Sequence, residues 1–195
     1  KRQHEPFVLD EETVNVGASV GIAVYPDAGS DPSSLNKNAD IALYSAKELG
    51  RNNYQFFTKD MQVSHSEKLQ LESELHFALE RNEFFLVYQP RFDLQTEKIV
   101  GMEVLLRWQH PVRGTIQPND FIPMAEETGL IVPIGQWVLQ TACKQFAEWR
   151  KLYQNLNITL AVNVSPRQFQ SKNFIGMIVK VLEETALPPK LLELE

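Results

Sequence analysis

An acid and a base interrupt the apolar run 101–108, Gly-Met-Glu-Val-Leu-Leu-Arg-Trp, and are the first candidates for chemistry in this chain. Residues two apart on a strand share a face, so Glu103, Leu105 and Arg107 are predicted to lie together. The apolar residues between them, such as Val104, then pack on the opposite face. Charges inside such a run must be paired, bind a metal ion or line a polar cavity. Two interpretations stay open: a functional face, or a plain Glu103–Arg107 ion pair at a sheet edge.

Polar side chains also stand near the ends of three other predicted strands: Gln89 of 84–90, Asn163 of 157–165 and Glu195 of 191–195. In parallel α/β sheets, and most completely in (β/α)8 barrels, polar residues near the carboxyl ends of strands converge on one ligand site. The carboxylates of Glu103 and Glu195 and the amide oxygen of Asn163 form an all-oxygen set. Such a set suits a hard divalent cation such as Mg2+ or Mn2+.

Arg107 adds a phosphate-binding group to this candidate site. Its guanidinium presents forked donors that match the oxygens of a phosphate. An oxygen-ligated metal beside such an arginine indicates phosphoester chemistry. A barrel with ordinary polar strand ends is the alternative, because a fold by itself does not imply a function.

Strands and helices alternate along the chain, and this order must position the candidate side chains. The predicted strands are 13–25, which could also be a hairpin, 53–57, 84–90, 101–108, 157–165 and 191–195. The predicted helices are 33–49, 68–82, 118–128, 133–152 and 174–185. Such alternation is typical of parallel βαβ units in an α/β fold. The stretch 58–66 is polar and has no strong pattern, so we expect a domain boundary there.

Composition limits the class of protein. The 195 residues are 43% hydrophobic and 23% charged, which is typical of a globular chain of one or two domains. No apolar run reaches the length of a membrane span and the first six residues lack a signal-peptide core, so we expect a soluble, cytoplasmic protein. The formal net charge of −6 argues against a general DNA or RNA binder, which would carry a basic face. Cys143, the single cysteine, excludes an internal disulfide and is predicted to be a core thiol.

Four spaced motifs give the chain a resemblance to a known family. Residues 103–107, Glu-Val-Leu-Leu-Arg, resemble the E-x-L-x-R signature of EAL domains, the cyclic di-GMP phosphodiesterases. Tyr-Gln-Pro at 88–90 lies upstream at the family's distance, Asn-Val-Ser at 163–165 resembles its N-x-S motif, and Leu-Glu-Leu-Glu at 192–195 resembles the opening of its next acidic motif. The resemblance runs from about Leu69 to the end of the sequence, and the order of the motifs makes it specific.

The first segment is similar to the C-terminal part of a second family, the GGDEF domain of diguanylate cyclases. Residues 19–23, 39–47 and 50–52 carry this similarity, and the family's signature loop is absent from the sequence. In that family the residues that match Lys47 and Arg51 contact nucleotide phosphates, so the resemblance implies a nucleotide contact here. A solvated helix end favoured by the helix dipole is the alternative interpretation of this pair.

Together the two resemblances imply a fold and a domain order. The implied fold is α/β, a partial (β/α)8 TIM-like barrel of the EAL type preceded by a remnant of an α/β GGDEF cyclase-like domain. The implied domains are the C-terminal part of a GGDEF domain at 1–60, a linker at 61–70 and the N-terminal half of an EAL domain at 71–195.

The EAL resemblance also implies an activity in bacterial second-messenger signalling: metal-dependent hydrolysis of cyclic di-GMP to the linear dinucleotide pGpG. Carried over residue by residue, the implied roles are catalysis for Glu103, metal binding for Glu103, Asn163 and Glu195, phosphate binding for Arg107, and substrate binding for Gln89 and Leu105. The implied cofactor is Mg2+ or Mn2+.

The family's remaining motifs, a pair of adjacent aspartates, a lysine and a later glutamate, are not in this sequence. We therefore expect the chain to be a portion of a longer protein, or to obtain these groups from another copy, and to be poorly active alone. A catalytically inactive cyclic di-GMP receptor and a bifunctional protein with diguanylate cyclase activity are the alternatives. The implied partners are cyclic di-GMP, a second copy through the EAL domain and upstream sensor domains, and further segments could anchor the parent protein to a membrane.

Overall fold

The computed structural model describes residues 7–10, 12–153 and 158–195 of the chain. By its internal contacts the chain divides into two compact units, Lys1–Leu71 and Glu72–Glu195. Both units combine α-helices with β-strands, which agrees with the predicted α/β class. Within the described ranges no helix is both long and apolar enough to cross a membrane.

Two small sheets form the first unit. β1 (Phe7–Leu9) pairs antiparallel with β2 (Glu12–Val14), and β3 (Val20–Ile22) pairs parallel with β4 (Tyr54–Phe56). The strand or hairpin predicted at 13–25 is therefore wrong, because β2 and β3 pair with different strands and not with each other. Residues 15–19 between them belong to no strand.

The parallel pair β3–β4 is connected through α1 (Pro32–Glu48), close to the helix predicted at 33–49. Asp31 caps this helix, since its Oδ1 accepts hydrogen bonds from the backbone N–H groups of Ser33 at 2.9 Å and Ser34 at 3.0 Å. Gly50, with a φ of +99°, follows the end of the helix. Asp31 and Gly50 thus mark the beginning and the end of α1, as the sequence predicts.

Gly21 allows α1 to approach β3 closely. A Cβ atom at this position would lie 2.0 Å from the carbonyl oxygen of Ala39 and 2.2 Å from the backbone nitrogen of Leu43. The buried residues Ala42 and Ala46 keep the same side of the helix small. Helix and strand therefore pack almost backbone against backbone.

The longest departure from the predicted elements is α2 (Lys59–Ala78), which was expected to begin near Lys68. Residues 59–66 contain neither glycine nor proline, so nothing in them interrupts a helix. They also lack an apolar stripe, and only Leu75 and Ala78 of this helix are buried. The predicted linker at 61–70 accordingly lies inside a continuous helix.

A five-stranded sheet with the order β5-β6-β8-β9, in which β7 pairs with β6, forms the base of the second unit. The strands are β5 (Phe84–Phe92), β6 (Ile99–His110), β7 (Gly114–Ile116), β8 (Thr159–Val162) and β9 (Leu192–Leu194). β6, β8 and β9 run parallel, as the alternation of strands and helices predicts. β7 has no counterpart among the predicted strands, because so short a strand carries too little alternation to be recognised.

β5 breaks the parallel pattern, since it pairs antiparallel with β6. The parallel arrangement predicted for strands that alternate with helices does not extend to this pair, because residues 93–98 are too few for a crossover, which needs about a dozen residues or more. The Asp93 side chain holds the turn instead. Its Oδ1 accepts hydrogen bonds from the backbone N–H groups of Gln95 at 3.1 Å and Thr96 at 2.7 Å.

In the described part of the second unit, the helices that accompany the sheet are α3 (Pro118–Thr128), α4 (Ile131–Leu152), α5 (Pro166–Phe169) and α6 (Phe174–Thr185). α3 and α6 have the predicted bounds, whereas α4 begins slightly earlier than predicted and the single turn α5 was not predicted. A 3-10 helix at Pro189–Leu191 leads into β9. The strand predicted at 157–165 is found as the shorter β8, residues 163–165 follow it outside the strand, and Asn157 lies outside the described residues.

The core of the second unit lies between one face of the sheet and these helices. Trp108 of β6, Phe121 of α3, Phe146 of α4 and Leu160 of β8 are all among its fully buried side chains. Cys143 of α4 is also buried, which confirms the predicted core thiol. Packing on this face leaves the other face of the strands for polar side chains.

Candidate functional site

β6 separates its side chains by face as the alternation predicts. Val104 and Trp108 are 3% and 0% exposed on the core side. Glu103, Leu105 and Arg107 are half-buried on the other side. The acid and the base of the apolar run therefore lie on the face that the core leaves free.

The pairing of strands brings Gln89 and Asn163 to Glu103. Gln89 lies directly opposite Glu103 in the β5–β6 register, although it is mid-strand because β5 continues to Phe92. Asn163 follows the last residue of β8, and its Nδ2 donates a hydrogen bond of 2.8 Å to Oε1 of Glu103. Rotation of this amide by half a turn would present its oxygen at the same place.

Glu195 continues the ladder beyond β9. Its backbone N–H donates to the carbonyl oxygen of Val162 at 3.0 Å, and its own carbonyl oxygen accepts from the N–H of Val164 at 2.7 Å. The backbone of Glu195 is thereby fixed beside Asn163. Its side-chain Oε1, however, lies 2.7 Å from Nη1 of Arg91.

Arg91 is a site residue that the sequence reasoning missed. Its guanidinium donates to the side chains of Glu193 and Glu195, and Nη2 lies 3.1 Å from the hydroxyl of Thr159. The hydrogen bond from Arg91 is the largest cause of a lowered pKa at the Glu193 carboxyl, and a hydrogen bond from Thr159 adds to it. The signal was present, because Arg91 follows Gln89 by two residues and so shares its face.

Arg107 forms no ion pair with Glu103 in the described part of the chain. Its Nη1 instead donates a 2.8 Å hydrogen bond to the carbonyl oxygen of Leu106. The interpretation of the two residues as a simple pair at a sheet edge is therefore wrong. Arg107 stays half-buried on the face of Glu103, where its forked donors suit an anion.

A mostly apolar cavity of about 360 Å³ opens beside Asn163. It lies beside the middle of β6 and the residues that follow β8, among residues of α3 and α4, and Leu105 is part of its wall. Ile122, Ile134 and Glu126 also line it. Such a cavity can take up a flat ring that has a polar edge.

The loop that carries Asn163 out of the sheet is held by Gln168. This buried side chain accepts a hydrogen bond at Oε1 from the backbone N–H of Ser165 at 3.1 Å, and Ser165 caps α5 in return. A Cβ atom at Gly135 of α4 would lie 1.8 Å from Nε2 of Gln168, so the glycine makes room for it. Gln168 was not predicted as a site residue, and its signal was the capping pattern Ser-x-x-Gln.

His110 fixes the far end of β6. Its Nδ1 accepts from the backbone N–H groups of Val112 at 3.2 Å and Arg113 at 3.1 Å. Its Nε2 lies 2.9 Å from a carboxylate oxygen of Glu74. The strand that carries Glu103 and Arg107 is therefore anchored beyond the site.

Glu103, Asn163 and Glu195 form the predicted donor set for a metal ion. Among the described residues no group of three or more His, Cys, Asp or Glu side chains is arranged to hold a metal ion. The predicted set depends on the amide of Asn163 as well as on Glu103, and these two are in contact. Their oxygen donors fit a hard divalent cation. The Glu195 carboxylate lies close by in the ladder but is directed to Arg91.

Lys47 and Arg51 lie in the first unit, apart from this donor set in sequence. Lys47 is exposed in the last turn of α1, and Arg51 is exposed just after Gly50 with a φ of +59°. A cation at this place also stabilises the carboxyl end of a helix. Both interpretations of the pair, nucleotide contact and solvated helix end, stay open.

Comparison with known proteins gives two family matches. A family model described as "EAL domain" matches residues 72–195, and one described as "Diguanylate cyclase, GGDEF domain" matches residues 1–53. The bifunctional diguanylate cyclase/cyclic di-GMP phosphodiesterase MucR of Pseudomonas aeruginosa is 42% identical over 100% of this chain and 28% of its own length. Cyclic di-GMP phosphodiesterase PdeR of Escherichia coli is 41% identical over 92% of this chain and 27% of its own length. The chain spans about a quarter of the length of the curated relatives it matches.

Solved structures give the same result. The structure described as "PaMucR Phosphodiesterase, c-di-GMP complex" has a TM-score of 0.62 and 41% identity, covering 64% of this chain and 50% of that chain. The FimX EAL domain from Pseudomonas aeruginosa bound to c-di-GMP has a TM-score of 0.54 and 31% identity, covering 62% of this chain and 47% of that chain. The structural similarity thus extends over more than half of this chain.

Proposed function

Since the chain belongs to the EAL domain family through residues 72–195 and carries a GGDEF-domain segment at residues 1–53, we propose that it acts in the metal-dependent hydrolysis of cyclic di-GMP to pGpG. The names of MucR and PdeR support this substrate. The contact between Asn163 and Glu103 carries the proposal, because it joins two oxygen-bearing side chains on the face of Arg107.

The fold proposed with this function is the N-terminal half of a (β/α)8 barrel. Parallel β6, β8 and β9 with helices between them support it, as does a match to half of the MucR structure. We assign residues 1–60 to the remnant of a GGDEF domain, 61–70 to a linker and 71–195 to the EAL part. Of the first range, residues 1–6 and Glu11 lie outside the described part of the chain.

The proposed roles are those that the EAL resemblance implies, and the contact between Asn163 and Glu103 supports them. Glu103, Asn163 and Glu195 would hold the metal, Arg107 would bind a phosphate, and Gln89 and Leu105 would contact the substrate. Mg2+ or Mn2+, when bound, would activate a water molecule and offset negative charge on the phosphate. Glu103 would bind the metal from β6, in the middle of the sheet. The hydrogen bond from Asn163 would fix the orientation of the Glu103 carboxylate. Leu105 lines the apolar cavity, which would accept a base of the dinucleotide.

This proposal is tested by incubating the purified protein with cyclic di-GMP and Mg2+ or Mn2+ and following pGpG by chromatography. The chain alone is expected to be poorly active, and we expect Glu103→Gln to lower whatever kcat/KM it has by at least about 100-fold. Glu148→Gln makes the same change at an exposed position of α4 and should keep the wild-type rate. Turnover that survives Glu103→Gln would contradict the assignment, and binding without product would favour a receptor.

A diguanylate cyclase activity is the second candidate, favoured by the GGDEF match and by the bifunctional name of MucR. Incubation with GTP and Mg2+ tests it. If Lys47 and Arg51 contact the nucleotide, Lys47→Met and Arg51→Met should each lower the formation of cyclic di-GMP. Lys37→Met, at another exposed lysine of α1, serves as the control.

The remaining features are proposed at the level of the family. We propose that cyclic di-GMP, and no DNA or RNA polymer, is the ligand, and that two copies associate through the EAL domain. Upstream sensor domains would supply the input. A cytoplasmic location agrees with the single unpaired Cys143.

A further inference from the structure

Arg91 crosses one face of the sheet and joins two carboxylates. From β5 its guanidinium reaches Glu195 through Nη1 at 2.7 Å and Glu193 through Nη2. Its side chain is 33% exposed, and the same Nη2 lies 3.1 Å from Thr159 Oγ1. One residue thus connects the first strand of the sheet with residues of β8 and β9.

The path of this side chain is built into the strand that it crosses. Gly101 of β6 lies directly opposite Arg91, and a Cβ atom there would approach Nε and Nη2 of Arg91 to 3.0 Å. The same atom would lie 2.8 Å from Oγ1 of Thr159. The missing side chain of Gly101 therefore leaves the space in which the guanidinium lies.

Arg91 is surrounded by negative charge. Its guanidinium forms ion pairs with Glu193 and Glu195, and the charge of Glu103 also acts on it. Without this cation the three carboxylates would repel one another on a single face. With it, Oε1 of Glu195 is held and the carboxylate has a fixed direction.

We propose that Arg91 is a positioning residue for the divalent metal site, one that orients Glu195 and lowers the affinity of the site for the ion. This inference rests on the proposed function, because it takes Glu103, Asn163 and Glu195 as the donors. A fixed cation beside a ligand repels the incoming ion, yet it keeps the ligand in one place. Arg91 therefore weakens metal binding while it speeds turnover.

The test measures these two effects separately in Arg91→Met and Arg91→Lys. Binding of Mn2+ without substrate is followed by the electron paramagnetic resonance signal of free Mn2+, and kcat is measured at saturating metal. For Arg91→Met we expect Mn2+ to bind about threefold to tenfold more tightly while kcat falls about 10- to 100-fold. If Arg91 acted only through packing, its replacement by methionine would not tighten the binding of Mn2+.

Arg91→Lys keeps the charge but cannot fork between two carboxylates. Its Mn2+ affinity should lie within about twofold of the wild type, whereas its kcat should stay at least about fivefold lower. Arg81→Met removes the same charge from a side chain that is 55% exposed, and should change neither quantity. If Arg91→Met does not fold, as judged by circular dichroism, Arg91→Lys decides alone, and an unchanged kcat overturns the proposal.

The measurement also separates this inference from the proposed function. Mn2+ binding that is unaffected by Glu103→Gln would mean that the metal site itself is wrongly assigned. Binding that requires Glu103 but is unchanged or weakened in Arg91→Met would overturn only the role of Arg91. Tighter binding together with slower turnover supports both.

Discussion

Burial controls the acid–base chemistry of two neighbouring residues in the second unit, Cys143 of α4 and Tyr88 of β5. Desolvation raises the pKa of the Cys143 thiol to about 11. It also raises the pKa of Tyr88 to about 12, with a smaller contribution from Cys143. The Tyr88 ring packs against Trp149 with ring centroids 4.7 Å apart. Both groups are therefore kept neutral by the core.

These two residues give a prediction for alkaline pH. A group whose pKa is higher in the folded than in the unfolded chain contributes stability at pH values below its unfolded pKa. This contribution is lost as the pH rises towards the folded pKa. The ordinary pKa of the thiol is 9.0 and the folded value is about 11, so the free energy of unfolding should fall across this window. Urea unfolding at pH 8 to 11 measures it. Cys143→Ala should reduce the slope between pH 9 and 10, because Tyr88 contributes only above its ordinary pKa of 10.0. A slope that the variant keeps in this range would exclude the thiol as its source.

The candidate site could be predicted in part at the residue scale. Glu103 and Asn163 stand out because each is a polar residue in or beside an apolar strand, and the structure brings them into contact. Arg91 shares the face of Gln89 by its spacing, but that spacing does not say which residues it contacts, because an arginine beside a turn is ordinary. Only the register shows that it lies opposite a glycine and reaches Glu195.

Among the elements, the loop between β8 and α5 depends on one buried amide, Gln168. We expect Gln168→Ala to lower the free energy of unfolding by about 1–3 kcal/mol, because the N–H of Ser165 loses its partner in a half-buried position. Urea unfolding measures the loss. Gln170→Ala is the matched control at an exposed position of the same segment. An equal effect of the two changes would show that the amide has no special part in the loop.

Elements were predictable where the pattern is strong. α1, α3 and α6 carry apolar stripes between clear start and stop signals, and their predicted bounds are nearly those observed. α2 exposes most of its surface, so no stripe marks where it begins. The antiparallel direction of β5 followed from the length of its connection and not from its own residues.

On the scale of the whole molecule, the division into two units predicts two separable responses. Gly21→Ala forces a Cβ atom to within 2.0 Å of Ala39, and we expect it to reduce hydrogen-exchange protection in α1, β3 and β4. Phe146→Ala removes a fully buried ring and should cost about 3–5 kcal/mol, with protection lost in α4, β6 and β8. Exchange measured by mass spectrometry locates each loss. Protection lost in both units from either change would mean that the chain unfolds as one body.

The residues at positions 101 and 91 are expected to change together in evolution, because they lie in the same small space. A lineage that acquires a side chain at 101 crowds the guanidinium at 91 and the hydroxyl of Thr159, so that the long cation must leave its present path. Covariation follows: across an alignment of relatives, arginine or lysine at 91 should accompany glycine at 101. Larger residues at 101 should accompany short, uncharged ones at 91, and the order in which the two positions changed should be readable from a phylogeny.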